Sequence, residues 1–133
     1  MAIEANRCTI CLNFEWASAR AIWPMRRGEI WTMAGGPGYA SKPCPALILQ
    51  DDGFTETLSI AVSPLTSQPI EAPMLRIQVE PSPENGLRET SRLMVDKVTT
   101  VPTSRLGQRS GRLADDDLLR LNCSLLVFPG LAR

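Results

Sequence analysis

Two short segments in the first half of the chain carry residues of types that do chemistry. Lys42-Pro43-Cys44-Pro45 precedes the apolar run Ala46-Leu47-Ile48-Leu49, and Ser63-Pro64-Leu65-Thr66-Ser67 follows the run Leu58-Ser59-Ile60-Ala61-Val62. If the two runs pair as a hairpin, the segments meet at one end of a sheet, where a cation, a thiol and two hydroxyls share one small region. An ammonium there supplies a point charge, and hydroxyls donate hydrogen bonds to an anion. The thiol is a poor nucleophile candidate, because the chain holds no histidine to activate it.

The missing histidine narrows the chemistry further. It excludes a serine–histidine triad, a ribonuclease built on a histidine pair, and any zinc site that needs imidazole. Acid–base work falls to Asp, Glu, Lys, Tyr or Cys, with Arg and hydroxyls in support. Cys8-x-x-Cys11 has the spacing of a zinc or redox pair, but Cys44 and Cys123 do not form a second such pair. No metal and no cofactor are expected.

Charge gives a local rather than a global signal. Lys+Arg and Asp+Glu number 14 each over 133 residues, so there is no net field to hold a polyanion or a membrane surface. Between residues 88 and 112, however, six cations (Arg88, Arg92, Lys97, Arg105, Arg109, Arg112) face only Glu89 and Asp96. That patch is either a nucleic-acid contact or a solvated basic face. The sequence has no secretory signal with a cleavage site and no run near the ~18 apolar residues of a membrane span, so a cytoplasmic protein with reduced thiols is expected.

The elements that must position these residues are short. Residues 1–24, with Trp16, Trp23, Cys8 and Cys11, differ in character from the rest of the chain: an upstream start or added segment, or else a genuine extension with a short helix over 13–22. The domain is placed at 25–133. Residues 29–33 alternate polar and apolar, as a strand does. The glycine-rich stretch 34–40 lacks the Gly-Lys-Ser/Thr of a phosphate cradle and is expected to be a long loop. Strands are expected at about 45–50 and 58–63 around the turn Asp51-Asp52-Gly53, and another over 74–79. Asn85-Gly86 marks a turn, two strands at 91–95 and 97–101 are bent at Asp96, and a helical turn lies at 104–107. A short strand at 110–113 leads into a helix that opens with Asp115-Asp116-Asp117, where acids suit the N-terminal dipole. Leu118, Leu121 and Leu125, with Leu119 and Leu126, form its apolar face; Cys123 is expected to be a small core residue. Five to seven strands plus one C-terminal helix predict a mainly β fold, a small barrel.

With these elements in place, the chain resembles the MazF/PemK family of type II toxins. Met25-Arg26-Arg27-Gly28-Glu29-Ile30-Trp31 is similar to the family's opening, Pro45-Ala46-Leu47-Ile48-Leu49 to its second strand, and Pro64-Leu65-Thr66-Ser67 to its threonine-bearing segment. Residues 91–101 and 106–113 resemble its late strand, helical turn and final strand. The resemblance implies an SH3-like barrel and a homodimer. It implies a cognate antitoxin that covers the active surface, with operator DNA bound only through that antitoxin. It also implies metal-independent cleavage of single-stranded RNA to a 2′,3′-cyclic phosphate and a 5′-hydroxyl.

Cleavage of that kind suits a chain without histidine, since the 2′-hydroxyl is itself the nucleophile. By resemblance Thr66 matches the family's catalytic threonine, Asp96 a carboxylate that some members use as base, and Glu29 a frequent acid of the first strand. Ser67, Arg92, Lys97 and Cys44 are then set against the substrate. The chain departs from the family at Cys44, which stands where an arginine usually precedes the proline. A thiol cannot present the charged five-donor fork of guanidinium. Lys42, two residues back, or Arg92 from another strand is the expected substitute cation. Two other readings stand beside the ribonuclease: a gyrase poison on the same barrel, and a member without catalysis that acts through its antitoxin.

Overall fold

The structure is a computed structural model that describes residues 25–34, 43–54 and 57–132. Among these residues seven antiparallel strands and one α-helix occur in this order: β1 (Glu29–Met33), β2 (Cys44–Ile48), β3 (Ser59–Thr66), β4 (Arg76–Val79), β5 (Ser91–Met94), β6 (Thr99–Pro102), β7 (Leu106–Arg112) and α1 (Asp115–Val127). The sheet runs β4-β5-β3-β2-β1-β7, and β6 pairs with β3 beside β5. This is the mainly β architecture with a C-terminal helix that the alternation predicted.

β2 and β3 do form the expected hairpin, in the register Ala46↔Pro64, Leu47↔Ser63 and Ile48↔Val62. Its turn is closed by Asp51, whose carboxylate accepts the Gly53 amide at 2.8 Å while its carbonyl accepts the Phe54 amide at 2.9 Å. β3 is longer than the apolar run suggested: Ser63, Pro64, Leu65 and Thr66 continue the strand instead of turning out of it. The reason is a change of partner. Ser59 to Val62 pair with β6, whereas Leu65 and Thr66 pair with β5. Pro64, with no N–H to give, falls at the changeover.

Two apolar clusters lie on opposite faces of the sheet. Ile30, Leu47, Leu65, Ile77, Val79, Leu93 and Val95 pack with Leu113 and with Leu121 of the helix. Met33, Ala46, Ile48, Ile60, Val62, Val101 and Leu106 form the second, against which Trp31 and Met25 pack. Strict alternation along β2 and β3 produces this division, since residues i and i+2 share a face.

The helix face is narrower than the leucine pattern predicted. Leu121 is fully buried and Leu118 and Leu125 are packed against the core, but Leu119 and Leu126 are exposed. Cys123, expected in the core, is exposed as well. At ~100° per residue it lies about 200° around the axis from Leu121, and Ser124 takes the inward place instead. The helix ends as Phe128-Pro129-Gly130 suggested, with Gly130 at φ 86° and the Leu131 amide donating back to the Leu126 carbonyl at 2.8 Å.

The turn at 81–87 is locked from inside. Buried Asn85 accepts the Ser82 and Leu87 amides at 2.9 and 3.0 Å and donates to the Glu80 carbonyl at 2.8 Å. Gly86 has φ 68°, and a Cβ there would overlap the Ser110 carbonyl of β7. The bend at Asp96 is a 3-10 turn, Val95–Lys97, between β5 and β6. A second, Thr103–Arg105, precedes β7. β7 is the longer form of the short strand read at 110–113.

Candidate active site

Strand register draws a single row across the sheet. Met33 pairs with Cys44, Thr66 with Arg92, and Arg92 with Gln78. The β2–β3 pairs end at Ala46↔Pro64, two residues short of Cys44 and Thr66, which lie at the same end of the hairpin. Cross-strand partners point to the same face, so Thr66, Arg92 and Gln78 stand side by side at strand spacings of roughly 5 Å, with Cys44 near them at the start of β2. They share the face of the second apolar cluster, one rung beyond Pro64, while Leu65 and Leu93 turn into the first.

Each side chain in the row is set for a different task. The Thr66 hydroxyl accepts the Gln68 amide at 3.2 Å. That bond fixes the oxygen and leaves its proton to donate outward. Arg92 reaches the Gln68 carbonyl and the Gln78 side-chain oxygen, both at 3.4 Å. These are long bonds to neutral acceptors, easily exchanged for shorter ones to an anion. Ser67 is exposed beside Thr66, and Cys44 is half-buried.

Asp96 and Lys97 lie on the 3-10 turn, four and five residues beyond Arg92. Along a strand that is at most roughly 13–17 Å from the row. The Asp96 carboxylate is ion-paired to Arg76 of β4. Glu29 is farther off: it sits four residues before Met33 on β1, and its side chain is buried. One oxygen accepts the Arg26 amide at 2.6 Å and the Trp31 indole at 3.3 Å, while the other is ion-paired to Arg109. That carboxylate ties the start of β1 to β7. Lys42 lies outside the described residues. The structure thus gathers Cys44, Thr66, Ser67 and Arg92, and sets Asp96, Lys97 and Glu29 apart from them.

Three residues join the site that the sequence did not single out: Arg76, Gln78 and Arg120. Arg76 and Gln78 share the outer face of β4, where Gln78 continues the row. Arg120, on the helix, donates to the Gln78 carbonyl at 2.7 Å and is ion-paired to Asp117. The alternation of residues 74–79 put Arg76 and Gln78 on one face, and that was the available signal. Near them Glu80 is held below the usual carboxylate range, first by the Thr90 hydroxyl, then by the Gln78 amide, with the Arg92 charge adding to both. Among the described residues no cluster of three or more Cys, Asp or Glu is arranged to hold a metal ion, and no helix is long and apolar enough to cross a membrane.

A half-open antiparallel barrel with a polar, arginine-bearing row at the end of one face is the class of protein these features define. A family described as PemK-like, MazF-like toxins of type II toxin–antitoxin systems matches residues 26–128, and the chain belongs to that family. It is 53% identical over 108 residues to a protein of Mycolicibacterium smegmatis named "Probable endoribonuclease MazF", covering 81% of this chain and 99% of that one. Solved structures repeat the fold at low identity. One is an endoribonuclease in complex with its cognate antitoxin from a mycobacterial species (TM-score 0.66, 21% identity, 82% of this chain and 98% of that one). Another is a MazE–MazF complex from Deinococcus radiodurans (TM-score 0.67, 18% identity, 83% and 100%).

Proposed function

We propose that the chain is the toxin of a type II toxin–antitoxin pair, an endoribonuclease that cleaves single-stranded mRNA by attack of a 2′-hydroxyl on the adjacent phosphate. The products are a 2′,3′-cyclic phosphate and a 5′-hydroxyl. The observation that carries this reading is the pair Thr66–Arg92, with Cys44 at the same end of the hairpin: a hydroxyl donor beside a loosely bonded guanidinium. Family membership and the named relative at 53% identity support it.

In this mechanism Thr66 donates a hydrogen bond to a non-bridging phosphate oxygen and Ser67 binds beside it, while the 2′-hydroxyl proton leaves to water and the departing 5′-oxygen takes a proton from water. Arg92 meets the charge of the phosphorane, the role left open by Cys44, and Lys42, two residues before Cys44 in the sequence, is a second candidate cation. Asp96, ion-paired to Arg76, and Lys97 stand away from the row, so they are read as contacts to the RNA beyond the cleaved bond and not as its base. Glu29 acts by fixing β1 through Arg26, Trp31 and Arg109.

The cognate antitoxin is the proposed protein partner, because solved relatives are described in complex with theirs. We further assign a homodimer, with operator DNA bound only through the antitoxin, in the cytoplasm. The exposed apolar residues Leu119, Leu126, Phe128 and Leu131 supply a surface for such assembly. The test is incubation of the purified chain with single-stranded RNA in EDTA, then mass analysis of the ends. Cyclic-phosphate ends that disappear in Thr66→Ala are the expected result. Intact RNA with wild type, together with poisoning of gyrase, would move the assignment to the non-nuclease branch.

A further inference from the structure

Beside the row lies a recess of about 160 Å³, lined by Ile70, Ala72, Pro73 and Glu71 of one loop and by Arg76, Gln78, Arg92 and Arg120. Three guanidinium groups from two strands and the helix converge on it, against the single carboxylate of Glu71. Ligand pockets for whole small molecules start near ~300 Å³, so this one suits a compact group.

The arginines are oriented but not saturated. Asp96 holds Arg76 and Asp117 holds Arg120, neither carboxylate lining the recess. The Arg76 side chain is 9% exposed, and its Nε is the one buried side-chain nitrogen or oxygen among the described residues without a hydrogen-bond partner. That nitrogen has no accessible surface, so it leaves Arg76 short of acceptors inside the fold, and it is the guanidinium's other N–H groups that can meet a ligand. Arg92 contributes only its two long bonds to neutral oxygens. Several N–H donors are therefore in reserve, in fork geometry that matches a phosphate.

We infer that this recess binds a backbone phosphate of a nucleotide flanking the cleaved bond. It rests on the ribonuclease reading, and it adds a substrate contact beyond the row. Gln78 lies two strands from Thr66, roughly 10 Å. A phosphate held there by Arg76 and Arg120, and bridged by Arg92 to the scissile phosphate that its other N–H donors meet, fixes the strand across β3, β5 and β4 while Thr66 works on the scissile group. Exposed Ile70 at the rim offers the adjoining nucleotide an apolar contact. Binding costs no covalent step. It exchanges the long Arg92 bonds for charge-assisted ones.

The test uses short single-stranded RNA with the attacking 2′-hydroxyl removed, and one uncharged methylphosphonate placed at each flanking position in turn. The variants are Arg120→Gln and Glu71→Gln, each checked for an unchanged Tm. For wild type, neutralising one flanking phosphate should weaken binding about tenfold or more. Arg120→Gln should bind RNA more weakly but lose its sensitivity at that position alone, with a salt slope smaller by about 0.7. Glu71→Gln should bind more tightly, a gain that damage to the fold does not produce. RNA binding with no position-specific coupling to Arg120 would overturn the recess and leave the ribonuclease reading intact. Arg120→Gln that leaves RNA untouched but loses an acidic peptide would also overturn it, in favour of a protein contact. No binding and no cleavage of any RNA by wild type overturns both.

Discussion

Replacing Cys44 by arginine asks whether the site is complete without a cation at the start of β2. Cys44 is half-buried at the start of β2, so a longer side chain can run along the open face without entering either cluster. Folding stability should therefore change by no more than about 0.5 kcal/mol. The new guanidinium would reach from the start of β2 toward Thr66, and Arg92 stands on the β5 side of Thr66. Two guanidiniums reaching one phosphate from opposite sides, roughly 7 Å apart, repel by about 0.6 kcal/mol in a water-like dielectric. A charged donor on a developing oxyanion contributes about 2.7–4 kcal/mol, several times more. Cys44→Arg should thus speed RNA cleavage by about a hundredfold. The assay is single-turnover cleavage of one RNA in EDTA, at saturating enzyme, with Tm measured in parallel. Equal or slower cleavage by a variant of unchanged Tm would show that Arg92 alone already meets the whole charge, and would refute the idea that position 44 leaves part of it unmet.

Four further outcomes are expected. Thr66→Ala should lose about 1.5–3 kcal/mol of transition-state stabilisation, a ten- to hundredfold fall in rate at unchanged Tm, because it deletes a donor to a charged oxygen. Leu121→Ala should destabilise by about 2–5 kcal/mol in denaturant unfolding, while Cys123→Ala two positions away stays within about 0.5 kcal/mol; equal effects would contradict the helix orientation. Gly86→Ala should lower stability by at least ~2 kcal/mol, from left-handed strain and overlap with Ser110 together. The Glu80 carboxyl should titrate below an ordinary glutamate by NMR, and Thr90→Val should raise it back toward normal. Since its folded value is depressed, any stability it contributes is present above the ordinary carboxylate pKa and lost as pH falls through the folded one.

The alternation in residues 46–49 and 58–62 was enough to place the hairpin, and with it the meeting of Cys44 and Thr66. Strand length was less legible. Pro64 and the hydroxyls around it look like a turn locally, and only the change from β6 to β5 explains why the strand continues. The helix was legible from Asp115-Asp116-Asp117, but five leucines overfill one face. Which of them are buried depends on where β4 and the 3-10 turn at Val95 stand. The cationic cluster of residues 88–112 dispersed for a similar reason: Arg105 is spent on the Ala34 carbonyl, Arg109 on Glu29 and Arg112 on Asp115. Arg92 alone of the six stands in the row. Arg76 and Arg120 lay outside the cluster, because their convergence is made by packing between strand and helix and has no signature in spacing.

β3 is the one strand with three partners, touching β2, β5 and β6. Thr66 therefore sits at the end of the element whose loss would cost the most ladder bonds. Backbone amides from Ile60 to Leu65 should open to exchange only with global unfolding, whereas the exposed segment from Ser67 onward opens locally. The hydroxyl is thus anchored on one side by the least yielding strand and bordered on the other by chain free to adapt. A partially unfolded or nascent chain would present none of the row, so whatever toxicity the protein has switches on only when the long-range pairing of β3 with β5 is in place.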